Sequence, residues 1–498
     1  MKKNLYLIVV VIISSFFVSC KQDDSIYTAN LVNRFVYDGM SQYYFWSSDM
    51  KNKKPTSSDT DPFAYFDRIL NENDRFSWIT DDVEGLLADF SGTPLSFGFS
   101  FAFIQSPTSS TEYYAVIKYV FPNTPASKAG LKRIDYIGKI NDQPITKSNY
   151  GALYDGNSLK LTMYKYINST FMQDKEINLT PEVINTDPVL CDTVYQIDSH
   201  KVGYVFYTDF IANYNGSLYN TFLKFKQEGV TDLILDIRYN HGGGISAATY
   251  LSSLIAPANV VATKPVFTIL SYNSYLNDLF DDNNWSRNDS LGSYDKSKEQ
   301  NPLNANLNLN KVYIIATGDS YSASELTTFC LKPFMNVVHI GENTGGKYVA
   351  SFTIHPYNED YGVPIYDVKS IKKESDKNKL KNWAMQPIVA RYTNKNGIDF
   401  SNPGYLVPDY NLKEGAGHVS NWKQIGDITD TYLAQAIWLI QGNSGLKPTS
   451  VLPYKVNGIL GNAKELPNFK DVRKSSVIID KKQLSKKHNE NSRIWLNE

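Results

Sequence analysis

Lys311-Val-Tyr-Ile-Ile-Ala-Thr-Gly-Asp-Ser-Tyr-Ser-Ala-Ser-Glu-Leu326 is the stretch that decides the fold. Its first half is an unbroken apolar run of strand length, the pattern of a strand buried on both faces. Its second half opens a helix with Leu326, Phe329 and Cys330 on one face. A strand that passes through a small-residue turn into a helix is the repeating unit of an α/β domain. Similar runs lie on both sides: Val202-Gly-Tyr-Val-Phe-Tyr207, Asp232-Leu-Ile-Leu-Asp-Ile-Arg238 and Asn336-Val-Val-His-Ile340. Residues 195–445 are therefore read as one α/β domain. Within it, the Asn-, Asp- and Ser-rich stretch 272–310 and the charged stretch 369–381 read as surface excursions.

Upstream the pattern changes twice. Val32, Phe35, Val36, Met40 and Tyr43 recur on one face of a helix, so residues 21–92 are expected to form a helical region. Residues 93–180 break into short β-runs, among them Tyr114-Ala-Val-Ile-Lys-Tyr-Val-Phe121 and Ser158-Leu-Lys-Leu-Thr-Met-Tyr-Lys165, and read as a β-rich domain. Residues 446–498 turn polar and Lys-rich, with one apolar run at Val477-Ile-Ile479, and read as a peripheral tail.

Fifty basic against 51 acidic residues give no net field to attract nucleic acid, and 42% hydrophobic residues in a chain of 498 rule out a disordered protein. The first twenty residues are a targeting segment: Lys2 and Lys3 precede a 14-residue apolar run, Leu5 to Val18, too short for the ~20 residues of a spanning helix. The Ser19-Cys20 that follows resembles the lipobox of bacterial lipoproteins, in which the cysteine carries the lipid. Lys21-Gln22-Asp23-Asp24 resembles the acidic export signal of surface lipoproteins in the Bacteroidetes. The expected location is the cell envelope, as an outer-membrane lipoprotein, periplasmic or surface-exposed, held to the membrane through Cys20. Only Cys191 and Cys330 remain, which is no disulfide framework and no zinc-ligand spacing. No metal or other cofactor is expected.

The chemistry gathers at three strand ends. Ser322 sits in a strand-to-helix turn, where helix N-terminal N–H groups can stabilise an oxyanion, although Ser322-Ala-Ser-Glu325 is equally a capping box. Gly341-Glu-Asn-Thr-Gly-Gly-Lys347 follows the next strand, with Lys347 twenty-five residues after Ser322. Two parallel strands joined by a helix bring their following loops together, so Lys347 can serve Ser322 as a base. For that its pKa must fall from about 10.4 to near 7, a shift of about 4 kcal/mol that burial supplies. A Walker A reading of the same glycines fails, because Tyr348 stands where Ser or Thr is needed and Val349-Ala-Ser-Phe-Thr-Ile354 reads as strand. The third piece, Gly242-Gly-Gly244 after the Leu233–Arg238 strand, lets backbone N–H groups approach a reacting carbonyl. His241 with Asp236 or Asp319 offers a Ser-His-Asp alternative that no spacing requires. His339 is read as a core histidine, and Asp236 with Arg238 as a structural pair. Ser320 and Ser324 are the local rivals of Ser322.

Together these pieces resemble the carboxy-terminal processing peptidases, or tail-specific proteases, in which "LD-x-R-x-N-x-GG", "SASE" and "GE-x-T-x-GK" follow in that order with the same 25-residue interval; Gly404-Tyr-Leu-Val-Pro-Asp409 is similar to their "G-x-x-PD". Asn123-Thr-Pro-Ala-Ser-Lys-Ala-Gly-Leu131, Ile134-Asp-Tyr-Ile137 and Ile140-Asn-Asp-Gln143 resemble the PDZ pattern, with Arg133-Ile134 replacing its usual Gly. The resemblance spans roughly residues 30–440. It implies a multidomain α/β protein: a crotonase-like catalytic domain, an N-terminal helical region and a PDZ-like β-rich domain. By position it assigns Ser322 as nucleophile, Lys347 as base, and the N–H groups of Gly242, Gly243 and Ala323 as oxyanion hole. Ser96, Phe97, Gly98 and Phe99 match the carboxylate-binding loop. Ser351 stands where the best-known members have a Gln that orients the lysine. The implied function is a serine endopeptidase acting on envelope or extracellular polypeptides, reached through their free C-termini. The open alternative is a non-catalytic peptide- or glycan-binding surface lipoprotein on a protease fold.

Overall fold

The computed structural model describes residues 24–154, 156–167, 170–414, 422–447 and 477–478. The targeting segment, Cys20 and most of the 446–498 tail lie outside the described residues; of the tail's apolar run, Val477–Ile478 pairs in parallel with the strand Val349–Ser351.

A six-stranded sheet carries the site. β1 (Val189–Ile197) runs antiparallel to β2 (His200–Tyr207). β2, β3 (Asp232–Asp236), β4 (Lys311–Ala316), β5 (Asn336–Gly341) and β6 (Tyr410–Asn411) then follow side by side, all parallel. The runs are continuously apolar because both faces are covered: Leu233, Leu235, Val312 and Ile314 pack into one core, and Ile234, Tyr313 and Ile315 into a second with the helix Thr431–Ile440. The helices Asn215–Glu228 and Ala323–Cys330 connect β2 to β3 and β4 to β5. Asp236 pairs with Ile315, and Ala316 with Gly341, so the loops after β3, β4 and β5 leave from one edge.

The helical face expected near the N-terminus forms in Asp24–Tyr43, and its Phe35 and Met40 share a single hydrophobic cluster with Leu235 and Ile314. That region is continuous with the α/β core. The β-rich segment instead has its own core, built on Phe103, Ile117, Ile137 and Leu161 within six strands from Phe99–Gln105 to Thr170–Leu179. The stretch 272–310 is more ordered than its composition suggests. Asn273 caps the helix Ser274–Asp282, whose Leu276 and Phe280 are buried. Cys191 and Cys330 are both free.

Arg133, the departure in the β-rich hairpin, leaves its own module and is only 4% exposed. It donates to the carbonyls of Lys118 and Lys423 at 2.8 and 2.6 Å, to Tyr239 Oη at 3.1 Å and to the Glu414 carboxylate. Glu414 also accepts from Arg238 at 3.0 Å, and Arg238 in turn holds Asp236 and Asp430 at 2.6 and 2.8 Å, as the structural-pair reading anticipated. Two guanidiniums thus face three buried carboxylates. Removing one partner of such a set leaves charge unpaired, at a cost of about 3–5 kcal/mol. Arg133→Met is expected to lower the unfolding free energy by that amount, read in urea as a lower midpoint at unchanged slope; an unchanged midpoint would remove Arg133 from the account of stability.

Candidate active site

β4 ends at Ala316; the turn to the helix Ala323–Cys330 contains Ser320 and Ser322, and a third serine, Ser324, stands in the first turn of that helix. Two are committed to backbone: Ser320 Oγ donates to Ile237 O and Ser324 Oγ to Asn240 O, each at 2.8 Å. Ser322 Oγ is fully buried and has no hydrogen-bond partner among the described residues. Its backbone is strained, with φ 59° and ψ −111° in a non-glycine residue, a conformation costing on the order of 1–3 kcal/mol that clusters at functional sites. The structure therefore separates Ser322 from Ser320 and Ser324 by chemistry as well as by interval.

Half of the expected capping box forms. Glu325 accepts the Ser322 N–H at 2.8 Å, while the Ser322 hydroxyl gives nothing back. The same carboxylate accepts the N–H groups of Gly346 at 2.8 Å and Lys347 at 2.7 Å, and the Thr344 hydroxyl. Ser322 N and Lys347 N thus share one oxygen, Oε2, and the loops after β4 and β5 are stitched together. Tyr392 Oη adds a second stitch, donating toward the carbonyls of Ser322 (3.2 Å) and Lys347 (3.0 Å). Gly346, at φ 83°, makes the turn; a Cβ there would lie 2.3 Å from Gly404 O.

Lys347 is fully buried, its Nζ 4.9 Å from the centre of the Phe76 ring. Burial lowers its pKa to about 7, against the opposing pull of the Asp74 and Glu325 carboxylates. Burial raises the pKa of Glu325, and its four donors pull it back down. Ser351 is buried, with a hydroxyl that has no partner among the described residues, so the expected bond to the lysine amine is not made in this structure.

The glycine turn after β3 closes on Ser322. A Cβ on Gly242, at φ 111°, would stand 2.7 Å from Ser322 Cβ. Phe210 clamps the turn, donating to Gly242 O and accepting from Gly244 N–H, both at 2.8 Å. One expectation needs correcting: Gly242 N–H donates to the Asn240 side chain at 2.8 Å and is already committed. Among the described residues no hydrogen bond uses the N–H of Gly243 or Ala323. His241 lies edge-on to Tyr321, with ring centres 6.0 Å apart, and the Ser322 hydroxyl makes no hydrogen bond to it. Asp319 pairs with Lys118 at 2.6 Å and Asp236 with Arg238. No Ser-His-Asp chain is therefore assembled at Ser322. His339 is buried, bonded through Nε2 to Ala316 O, and held near 4 by burial, a core histidine as read. In the β-rich segment Gly98 N–H donates to Ser96 Oγ at 3.1 Å.

Sequence reasoning missed four contributors: Glu325 as a clamp between loops, Tyr392, Asn240 and Phe76. Glu325 carried a signal in the S-x-x-E spacing, which points to capping, and Asn240 in the N of "LD-x-R-x-N-x-GG"; Tyr392 and Phe76 carried none.

The chain is similar to known proteins over its α/β domain and its N-terminal helical region. Residues 201–412 match the Peptidase family S41 model and residues 32–78 the Peptidase S41 N-terminal domain. The chain belongs to peptidase family S41. It is 22% identical over 227 residues to the carboxyl-terminal-processing protease of Synechocystis sp., an alignment covering 45% of this chain and 47% of that protein, so the chain spans about half the length of the curated relative it matches. A solved structure from Bacteroides fragilis classed among the S41 proteases is 25% identical and superposes with a TM-score of 0.63 over 82% of this chain and 98% of that one.

Glu325→Gln keeps the volume but sets an amide against four donors. It is expected to lower stability by about 3 kcal/mol or more in urea denaturation; a loss under about 1 kcal/mol would show that the loops are held together without it.

Proposed function

We propose that this chain is a serine endopeptidase that hydrolyses polypeptides through a Ser322/Lys347 dyad. The observation that carries the reading is Glu325, whose one carboxylate oxygen binds the amides of both residues while the Ser322 hydroxyl stays uncommitted. Ser322 Oγ attacks the peptide carbonyl and passes its proton to the neutral Lys347 amine. The N–H groups of Gly243 and Ala323 receive the oxyanion, replacing the committed donor of Gly242. Lys347 then protonates the leaving amine, and water, deprotonated by the same lysine, releases the acyl group. Ser351 is the acceptor assigned to the lysine amine in the substrate complex.

The α/β domain is read as crotonase-like and the six-stranded segment as PDZ-like, with Ser96–Phe99 as its peptide-binding loop. Phe99–Gln105 is an edge strand of that sheet, to which an extended peptide can add. A lipid anchor at Cys20 would hold the enzyme in the cell envelope, facing polypeptides of the outer membrane or beyond. The missing bond between Lys347 and Ser351 favours a second reading, a non-catalytic peptide- or glycan-binding lipoprotein. A fluorophosphonate that labels Ser322 separates the two, because a binder has no activated hydroxyl.

Ser322→Ala and Lys347→Ala are each expected to remove cleavage of an unfolded protein, by on the order of 10⁶-fold for the nucleophile; retained cleavage in either sinks the dyad. The base works only when neutral, so kcat/KM should fall about tenfold per pH unit below about 7 and level off above it. A profile flat from pH 5 to 8 would mean that Lys347 is not the base.

A further inference from the structure

A cavity of about 310 Å³ lies between the Ser96–Phe99 loop and the glycine turn. Phe97, Phe99, Tyr119 and Phe121 line one side of it, and His241, Gly242 and Gly243 the other. Asp209 and Asp89 are its carboxylates, and no lysine or arginine stands among the described lining residues. Asp209 directly precedes Phe210, the residue whose N–H and C=O clamp the turn against Ser322. Its place relative to the reacting hydroxyl is therefore fixed by backbone. Among the described residues its carboxylate accepts one hydrogen bond, from the adjacent Phe210 N–H at 2.9 Å, and enters no ion pair. Burial pushes Asp209 up to about 7; the Phe210 N–H pulls it down, and Asp89 pushes it further up.

These features ask for a cation. A half-buried carboxylate without a counter-ion gains from a positive partner, and aromatic faces attract the same charge. A substrate's terminal carboxylate would meet two acidic groups there, in a loop whose Gly98 N–H is already given to Ser96. We propose that this cavity binds a basic side chain of the polypeptide, lysine or arginine, close to the bond being cut, with Asp209 as its counter-ion. The proposal rests on the peptidase reading for the words "substrate" and "cut"; the cation site itself does not.

Three small probes of one shape and different charge test it: 4-aminobenzamidine, 4-aminobenzamide and 4-aminobenzoate, titrated calorimetrically into the full chain near neutral pH. The amidine should bind about tenfold or more tighter than the amide, and the benzoate weakest. Asp209→Asn should bring the amidine down to the level of the amide. Tightest binding of the benzoate, equal binding of all three, or an amidine preference that survives in Asp209→Asn each overturns the proposal. Should that variant fail to fold, the ranking on the wild-type chain decides alone. Saturating amidine should also slow fluorophosphonate labelling of Ser322. If Ser322 is not labelled at all, the peptidase reading fails while the probe ranking still stands or falls by itself.

Discussion

One buried carboxylate holds this site together. Glu325 accepts three amide protons and a hydroxyl proton from two different loops. A carboxylate taken out of water is costly unless its lone pairs are filled, and four donors fill them. The cost works in both directions: because Glu325 cannot be left unsatisfied, neither can the loops drift apart. The ordinary cap of a helix N-terminus has here become the fastening between the turn that carries Ser322 and the turn that carries Lys347. Its charge opposes the neutral form of Lys347, and burial overcomes that opposition.

Strain and space are matched on the other side of Ser322. A non-glycine residue at positive φ thrusts its Cβ toward the β3 loop, and only a residue without a Cβ leaves room. Gly242 is thus a requirement of Ser322, separate from any part its N–H plays, which Asn240 has taken. Gly243 inherits the outward-facing donor because Phe210 bonds to the residues on either side of it.

Much of this was legible in the chain. The central strands announced themselves as continuous apolar runs because both faces are buried, and the 25-residue interval located Lys347 because a strand–helix–strand unit has few ways to close. What stayed hidden was whatever depends on a partner distant in sequence. Tyr392 looks like a strand aromatic and Phe76 like a loop residue, until the fold brings them to Lys347 and Ser322. The helix Ser274–Asp282 was hidden by the Asn and Asp residues around it, although Leu276, Leu279 and Phe280 recur at i, i+3 and i+4 and face the core. Ser351 was placed by analogy of position, and its hydroxyl has no partner among the described residues.

The buried guanidinium network has a consequence for how the protein can be divided. Glu414 and Asp430 both lie beyond residue 412, where the family-matched segment stops, yet they supply two of the three carboxylates around Arg238. A fragment trimmed to residues 201–412 would bring Arg238 without those counter-charges, and the β-rich segment grafted onto another scaffold would arrive with Arg133 and no socket to receive it. The outline drawn by homology and the outline drawn by electrostatics do not coincide, and a working fragment has to follow the second.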